Sequence, residues 1–388
     1  MTPPDPVPLR RVTPVPHAPE RHRDGPVASG LVHSCDAEPG IVRRGTRRFR
    51  YETPDGRPVR DPDVLARIAS LAIPPAWTDV WICIDPCGHL QATGRDAKGR
   101  KQSRYHPDFR AERERTKFDQ LVVFGAALGS LRTTVAHDLA ERRPTLRRQT
   151  ALVVHLLDRT GIRVGNEAYV RANGSYGLST LRTRQARVHG AAVTFRFVGK
   201  SGRRHTVAIE DRRLARLVAQ CQDLPGQHLF TYLDESDGAT PIVRVVDSTS
   251  VNDYLRDATG QDVTAKTFRT WLATTTVGHR LATEAMRDPE RVDPRVVSAA
   301  VDEAAVLLGN TRTVCRASYV HPAVPAAYHE RTLASSWRAG PARPTAGMST
   351  VERRTLHLLR ETSMRRDTAG APHAPSRAGL GPRVGDAA

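Results

Sequence analysis

The sequence has 388 residues and carries 59 Lys and Arg against 41 Asp and Glu, a formal net charge of +18. This excess favours a polyanionic partner, but only five of the basic residues are Lys, and a composition rich in Arg also follows from coding bias. No apolar run approaches the ~20 residues that span a bilayer, the first residues lack the apolar segment of a secretory signal, and the five cysteines are scattered. We therefore expect a soluble, cytoplasmic protein with reduced thiols and no membrane partner.

The first part of the chain is predicted to be a tail followed by a strand-rich domain. Residues 1–36 are rich in Pro and poor in large apolar residues, which predicts a disordered tail. Residues 37–110 contain the β-prone segments DVWICID and GHLQATG, joined by Asp85-Pro86-Cys87-Gly88. Pro and Gly at these positions suit a type I turn, so the two segments are predicted to form a hairpin. A short helix is predicted over residues 62–70.

Residues 111–335 are predicted to form a larger, mainly helical domain. Its first helical pattern is long, with an expected break near Gly125 or Gly129, and the next helix is expected to end at Gly161. Four short β-prone segments follow, namely LSTLR, ARVHG, VTFRFVG and RHTVAIE. The last two flank Gly199-Lys200-Ser201-Gly202 and predict a hairpin with Lys200 at its tip.

Helical patterns resume after this small antiparallel sheet. They are DRRLARLVAQC, STSVNDYLRDATG, TAKTFRTWLATTTV and DPRVVSAAVDEAAVLLG, the last with Asp293 as N-cap and Pro294 at the first helical position. Residues 336–388 are basic and rich in Pro, Gly and Ala, which predicts a disordered tail that keeps at most a short helix at VERRTLHLLRET. The predicted fold class is α+β, with a small strand-rich N-terminal domain and a larger helical domain containing a small antiparallel sheet.

Five residues stand out as candidates for chemistry, although each also has an ordinary explanation. Arg163 at a helix end suits a solvated or ion-paired side chain, and Lys200 suits a solvated turn. Arg269 lies within an apolar helical pattern, where burial of its charge requires a partner. Asn310 suits a turn after a helix, and Tyr319 suits a half-buried aromatic residue.

The order of the motifs resembles the type IB DNA topoisomerase family, in its poxviral and bacterial branch, over residues 40–335. The segments that resemble its N-terminal domain are IVRRGTRRFRYETPDG, LARIASLAIPPAWTDVWIC and GHLQATGRDAKGRKQSRYHP, and those that resemble its catalytic domain are GIRVGNEAY, FVGKSGRRH, KTFRTW and LGNTRTVCRASYVHP. The resemblance implies an isomerase that relaxes supercoiled duplex DNA through a transient 3′-phosphotyrosyl bond. It further implies that the enzyme requires no ATP, metal or other cofactor, and that it is a monomer associated with the nucleoid.

The resemblance also implies a role for each candidate. Tyr319 would be the nucleophile, Arg163 and Arg269 would hold the scissile phosphate, and Lys200 would be the general acid. Asn310 stands where some members have His. Both residue types can donate to a phosphate oxygen, but an amide cannot act as an acid or a base.

The segment GRDAKGRKQSRYHP is expected to face DNA. The residues predicted to contact the duplex are Arg95, Lys98, Lys101, Arg104 and Tyr105. Three positions depart from the family pattern: Ser103 replaces an expected Tyr, Val198 stands where a basic residue is common, and Thr267 replaces an expected Asp. These departures bear on DNA contacts and local packing, and none is one of the five catalytic candidates.

Alternative interpretations remain open at this point. A tyrosine recombinase shares the chemistry and the C-terminal motif, but that group usually has His at position 310 and a helical N-terminal domain. A non-catalytic basic DNA-binding protein would require the five candidates to be vestigial. A zinc site at Cys83, Cys87 and His89 has weak spacing and no second ligand pair, so structural cysteines are expected instead.

Overall fold

The computed structural model describes residues 30–235 and 241–370, which divide into two compact units at residues 119 and 120. The boundary falls inside a long helix, whereas the sequence placed it at residue 110. The disordered tail predicted for residues 1–29 and the end of the tail predicted for residues 371–388 lie outside the described residues.

The N-terminal unit is a five-stranded antiparallel sheet with strand order β2-β1-β3-β4-β5. Its elements are β1 (Ile41–Arg44), β2 (Arg50–Glu52), α1 (Pro62–Ser70), β3 (Thr78–Ile82), β4 (Leu90–Arg95) and β5 (Lys101–Tyr105). Asp61 caps the start of helix α1, and its side chain accepts from the backbone N–H of Asp63. The predicted hairpin is confirmed, with Gly88 donating its backbone N–H to Asp85 O (3.1 Å) in the turn between β3 and β4.

Residues 30–36 correct part of the prediction of a disordered N-terminal tail. Val32 donates its backbone N–H to Cys87 O (3.0 Å), and Ser34 donates its own to His89 Nδ1 (3.1 Å). These bonds hold the segment against the β3–β4 turn, which composition could not indicate because the partners lie far along the chain. Within the described residues, no three His, Cys, Asp or Glu side chains gather as a metal site, Cys83, Cys87 and His89 included.

The second unit is mainly helical, as predicted. Its helices are α2 (Pro107–Asp138), which begins before the boundary, α3 (Leu146–Thr160), α4 (Glu167–Asn173), α5 (Arg212–Gln222), α6 (Ser248–Thr259), α7 (Ala265–Arg287), α8 (Pro294–Leu308), α9 (Arg312–Ser318), α10 (Ala323–His329), α11 (Leu333–Ala339) and α12 (Thr350–Gly370). Helix α7 is central and packs against α3, α6, α8, α10, α11 and α12. None of the helices described is both long enough and apolar enough to cross a lipid bilayer.

The strands of this unit form two small antiparallel sheets. The first contains β6 (Ala186–His189), β7 (Ala192–Val198) and β8 (Arg204–Glu210), and the predicted β7–β8 hairpin is confirmed. The second pairs β9 (Thr231–Asp234) with β10 (Ile242–Val245) and was not predicted. The sequence segment LSTLR, predicted to be a strand, is a 3₁₀ turn at Leu178–Thr180, because its backbone N–H groups bond to the loop after α3.

The expected break in α2 at Gly125 or Gly129 is wrong, since the helix is continuous. A Cβ atom on Gly125 would lie 2.6 Å from ring atoms of Trp271. The glycine at this position therefore permits a close approach between α2 and α7. Its cost to helix propensity is offset by the packing of Trp271, which is 2% exposed.

The prediction of a disordered tail over residues 336–388 is wrong for residues 336–370, which contain the end of α11 and all of α12. The side chains of Leu356 and Leu359 are buried against the helical core. Arg132 on α2 donates to Glu352 Oε1 on α12 (2.7 Å) and to Asp158 Oδ1 on α3 (2.8 Å). The short helix expected at VERRTLHLLRET is thus part of a longer packed helix.

Candidate active site

The loop that carries Arg163 begins where α3 ends. Gly161 has a left-handed backbone (φ 61°) and caps the helix, as the sequence predicted. Leu178 then donates its backbone N–H to Arg163 O (2.9 Å), so the 3₁₀ turn holds the loop from the other side. The half-buried Arg163 side chain donates from Nη2 to Asn310 Oδ1 (2.8 Å), which joins two candidates that are far apart in the sequence.

Arg269 is 3% exposed on α7, so its guanidinium needs acceptors. It donates from Nη1 to Gly161 O and from Nη2 to Leu308 O (3.0 Å). These carbonyls lie at the C-terminal ends of α3 and α8, where unpaired carbonyls and the helix dipole favour a cation. Arg269 therefore links the starts of the two loops that carry Arg163 and Asn310.

Tyr319 directly follows α9 and is 8% exposed. Its backbone N–H donates to Cys315 O (2.9 Å), and its carbonyl accepts from Thr274 Oγ1 (3.3 Å) on α7. The guanidinium carbon of Arg269 lies 4.9 Å from the centroid of the Tyr319 ring, within cation–π range. Helix α7 thus anchors the backbone of Tyr319 and also supplies the cation above its ring.

The cations around Tyr319 outweigh the effect of burial on its phenol. Burial alone raises the pKa of Tyr319, but Arg269, Arg163 and Lys266 lower it, and the net pKa lies below its usual value. Lys266 lies on the first turn of α7, in the same KTFRTW segment as Arg269. Lys266 was not among the residues predicted from the sequence, although its place one helical turn before Arg269 was a usable signal.

Two buried donors in the site have no hydrogen-bond partner among the described residues. They are Asn310 Nδ2 and Arg269 Nε. A buried N–H without an acceptor is costly, so such groups point to a ligand that supplies one. Anionic oxygens are suitable acceptors for both donors, and they form charge-assisted bonds with the guanidinium.

Lys200 lies in the turn between β7 and β8, where Gly199 donates its backbone N–H to Arg203 O (2.7 Å). Its side chain is exposed and lines the same shallow pocket as Arg163 and Arg269. His205 lines this pocket as well and was not selected from the sequence. The structure therefore brings Arg163, Asn310 and Tyr319 together around Arg269 and places Lys200 beside them.

Comparisons with known proteins show two family matches along the chain. Residues 106–338 match the family described as the catalytic core of eukaryotic DNA topoisomerase I, and residues 48–96 match the N-terminal domain of bacterial DNA topoisomerase IB. The chain is 32% identical over 287 residues to DNA topoisomerase 1B of Acanthamoeba polyphaga mimivirus. The matched region covers 72% of this chain and 85% of the relative. The chain belongs to the type IB DNA topoisomerase family. The matched N-terminal domain also distinguishes this topoisomerase from the tyrosine recombinases considered above.

In the N-terminal unit of the topoisomerase, the predicted DNA-binding residues lie along one hairpin. Arg95 ends β4, and its Nε lies 3.5 Å from Asp79 Oδ2. Lys101 begins β5, and its Nζ lies 2.6 Å from Asp36 Oδ2. Lys98 is exposed in the turn between these strands. These three side chains lie near one end of the hairpin, two of them paired with carboxylates.

The other two predicted DNA-binding residues have packing partners. Arg104 donates to Ala72 O (3.0 Å) and lies 5.5 Å over the ring of Trp77. The ring of Tyr105 lies 5.4 Å from that of Phe109. Both side chains therefore contribute to the packing of their own unit.

The three departures from the family pattern occupy different settings. Ser103 is exposed on β5, and Val198 ends β7 next to the turn that carries Lys200. Thr267 accepts at Oγ1 from the backbone N–H of Thr264 (3.4 Å) at the start of α7. Thr267 thus takes part in capping the helix that carries Arg269.

Proposed function

We propose that the phenol of Tyr319 performs the strand transfer by which this topoisomerase relaxes supercoiled duplex DNA. The phenolic oxygen attacks the phosphorus of one phosphodiester, the bond from phosphorus to the 5′ oxygen breaks, and a 3′-phosphotyrosyl bond forms. The free 5′ hydroxyl end swivels and then attacks the same phosphorus, which releases the tyrosine. One diester replaces another at each step, so the cycle needs no ATP.

The observation that carries this proposal is the position of the Tyr319 ring beneath the guanidinium of Arg269. A tyrosine hydroxyl ordinarily titrates near ~10 and is a weak nucleophile at neutral pH. The lowered pKa of Tyr319, which cations produce against the effect of burial, favours the more reactive phenolate. The same cations stabilise the negative charge that develops on the phosphate.

The remaining candidates divide the other tasks between them. Arg163 and Arg269 bind the nonbridging oxygens, and the unpaired Nδ2 of Asn310 donates to one of them. Lys200, at the tip of its hairpin, gives a proton to the departing 5′ oxygen, which would otherwise leave as an alkoxide. This set of residues supplies nucleophile, charge stabilisation and acid from side chains alone, without a metal or other cofactor.

The cellular and physical setting follows from the same features. A net charge of +18 supports binding to duplex DNA through its phosphates, and we propose a cytoplasmic, nucleoid-associated enzyme. All five catalytic candidates come from one chain, which supports a monomer as the active form. Arg95, Lys98, Lys101, Arg104 and Tyr105 remain the proposed DNA contacts of the N-terminal unit.

Relaxation of a supercoiled plasmid without recombination sites tests the proposal, with EDTA present and nucleotide omitted. Tyr319→Phe should abolish relaxation while DNA binding persists. The matched control is Tyr328→Phe, which removes another buried phenolic hydroxyl from the same unit and should leave relaxation intact. Relaxation by Tyr319→Phe would exclude Tyr319 as the nucleophile, and loss of wild-type activity in EDTA would exclude the metal-free mechanism.

A further inference from the structure

His205 occupies a central position beside the proposed active site. It lies on β8 opposite Phe197 on β7, and the two rings stack at 5.1 Å with an interplanar angle of 11°. The imidazole is half-buried and lines the pocket that Lys200, Arg163 and Arg269 also line. Phe197 is 7% exposed, so one face of the His205 ring rests on the core.

Two glycines leave the space that the His205 ring fills. A Cβ atom on Gly199 would lie 2.7 Å from His205 Cδ2 and Nε2. A Cβ atom on Gly309 would overlap His205 Cε1, and Gly309 also has a positive φ of 62°. The ring is therefore in direct contact with two backbones, that of the turn before Lys200 and that of the turn before Asn310.

A second contact joins the same two turns. Arg203, at the far end of the β7–β8 turn, donates from Nη1 to Gly309 O (3.3 Å). The exposed β7–β8 turn would otherwise be free to move as a short loop. The ring of His205 and the side chain of Arg203 together fix residues 199–203, here called the acid turn, against the end of α8.

We propose that His205 is a positioning residue for the general acid, its ring holding the acid turn, and with it Lys200, against the turn that carries Asn310. The inference rests on the proposed role of Lys200. His205 acts by its shape and stacking, so a flat apolar ring should replace it. A displacement of about 1 Å at a catalytic group can cost about 10²-fold in rate, which sets the expected effect.

The charges around His205 make its packing sensitive to pH. The groups that face it are Arg203 and Lys200 on the acid turn, Arg163 in the loop after α3 and Arg269 on α7. Burial, Arg163, Arg269 and Arg203 all lower the pKa of His205, so its ring is neutral at neutral pH. Protonation at lower pH adds a cation among cations and should loosen the acid turn, so that cleavage slows as the pH falls through that lowered value.

The test is single-turnover cleavage of a duplex oligonucleotide by wild type, His205→Ala, His205→Phe and Lys200→Ala. Each enzyme is assayed on an ordinary duplex and on one with sulfur in place of the bridging 5′ oxygen. In the sulfur duplex the phosphorus–sulfur bond breaks and a thiolate leaves without a proton, because thiols ionise near ~8.5. The control is His189→Ala, an exposed histidine in the same sheet, which should cleave as wild type does.

The proposal predicts that His205→Ala slows cleavage of the ordinary duplex by about 10²-fold. On the sulfur duplex it should approach the wild-type rate, as Lys200→Ala should. His205→Phe should stay within about threefold of wild type on both duplexes near neutral pH. At acid pH both enzymes should slow as Tyr319 is protonated, but the rate of His205→Phe should fall less steeply than that of wild type. DNA affinity should be unchanged in both variants.

Three results would overturn the inference. They are an unimpaired His205→Ala, a His205→Phe as slow as His205→Ala, and a His205→Ala that the sulfur duplex does not restore. If His205→Ala does not fold, the acid limb of the pH profile in wild type and His205→Phe decides, and an identical limb in both overturns the inference. Failure of the proposed function is distinguishable, since wild type would then form no covalent complex or Lys200→Ala would gain nothing from sulfur.

Discussion

Two groups of basic side chains differ in what holds them in place. In the N-terminal unit, Lys101 and Arg95 lie beside the carboxylates of Asp36 and Asp79. In the second unit, Arg163 and Arg269 donate to neutral oxygens, namely an amide and two backbone carbonyls. Among the described residues, no carboxylate lies within ion-pair distance of Arg163 or Arg269. A neutral acceptor orients a guanidinium and leaves its full charge for a ligand, whereas a carboxylate cancels it.

Arg132 shows that burial alone does not explain this difference. Like Arg163, it is half-buried in the second unit, but it pairs with both Asp158 and Glu352, which raise its pKa against the effect of burial. Arg132 joins α2, α3 and α12, and the two carboxylates neutralise its charge, so none is left to bind a ligand. The type of acceptor therefore separates Arg132 from the two arginines that are proposed to bind the scissile phosphate.

Asn310→Asp would break this distinction most directly, because it gives Arg163 a carboxylate partner. The new charge should cancel that of Arg163, repel the DNA phosphate and raise the pKa of Tyr319. We expect cleavage to slow by about 10³-fold, compared with about 10²-fold for Asn310→Ala, which removes the Nδ2 donor and the acceptor of Arg163 but adds no charge. Single-turnover cleavage of a duplex oligonucleotide measures both variants.

The comparison of these two substitutions carries its own control. Asp and Asn have nearly the same size and shape, so packing changes little, and thermal unfolding should confirm that both variants fold. If Asn310→Asp cleaves as fast as Asn310→Ala, the absence of a carboxylate beside Arg163 has no catalytic value.

Lys266→Met should have a smaller effect, since Lys266 lowers the pKa of Tyr319 less than Arg269 does. Loss of its charge should raise the pKa of Tyr319, move the rise of the cleavage rate to higher pH, and slow cleavage at neutral pH on the order of threefold. A pH–rate profile measures this. Lys117→Met, which removes a lysine from α2, is the matched control, and an equal shift in both variants would argue against a local effect.

Asp36→Asn should have the smallest effect and the opposite sign. It releases Lys101 from its ion pair, so DNA affinity at low salt should rise a few-fold and the salt dependence should steepen by about one released counterion. Binding of labelled duplex over a series of salt concentrations measures this. Asp63→Asn removes an equal charge from α1 and should leave the salt slope unchanged. An unchanged slope in Asp36→Asn would show that Lys101 does not contact DNA phosphates.

Local features of the fold were predictable from the sequence. The C-terminal end of α3 follows from Gly161, and the start of α8 follows from Asp293 and Pro294. The two hairpins follow from their turn residues. The five catalytic candidates came from resemblance to a family. The residues alone favoured ordinary structural roles, because their proximity depends on tertiary packing.

The errors share one physical cause, which is contact between distant segments. Gly125 was predicted to break α2 because glycine has a low helix propensity. The packing of Trp271 against Gly125 was not visible in the sequence, since Trp271 lies far along the chain. Helix α12 was predicted to lie in a disordered tail because of the composition of that segment. Composition does not reveal that Glu352 on α12 pairs with Arg132, which is distant in the sequence. His205 was missed for the same reason, since its contact with Gly309 is visible only in the folded chain.

The most direct test of the account is to trap the covalent complex with denaturant and locate the DNA-linked residue. The cleaved strand of a duplex is labelled at its 5′ end in one sample and at its 3′ end in another. The account predicts that only the 5′ label becomes attached to protein and that the DNA-linked tryptic peptide spans residues 317–331, with the phosphate on Tyr319 rather than Tyr328. Attachment of the 3′ label, or a linkage to any other residue, would contradict it.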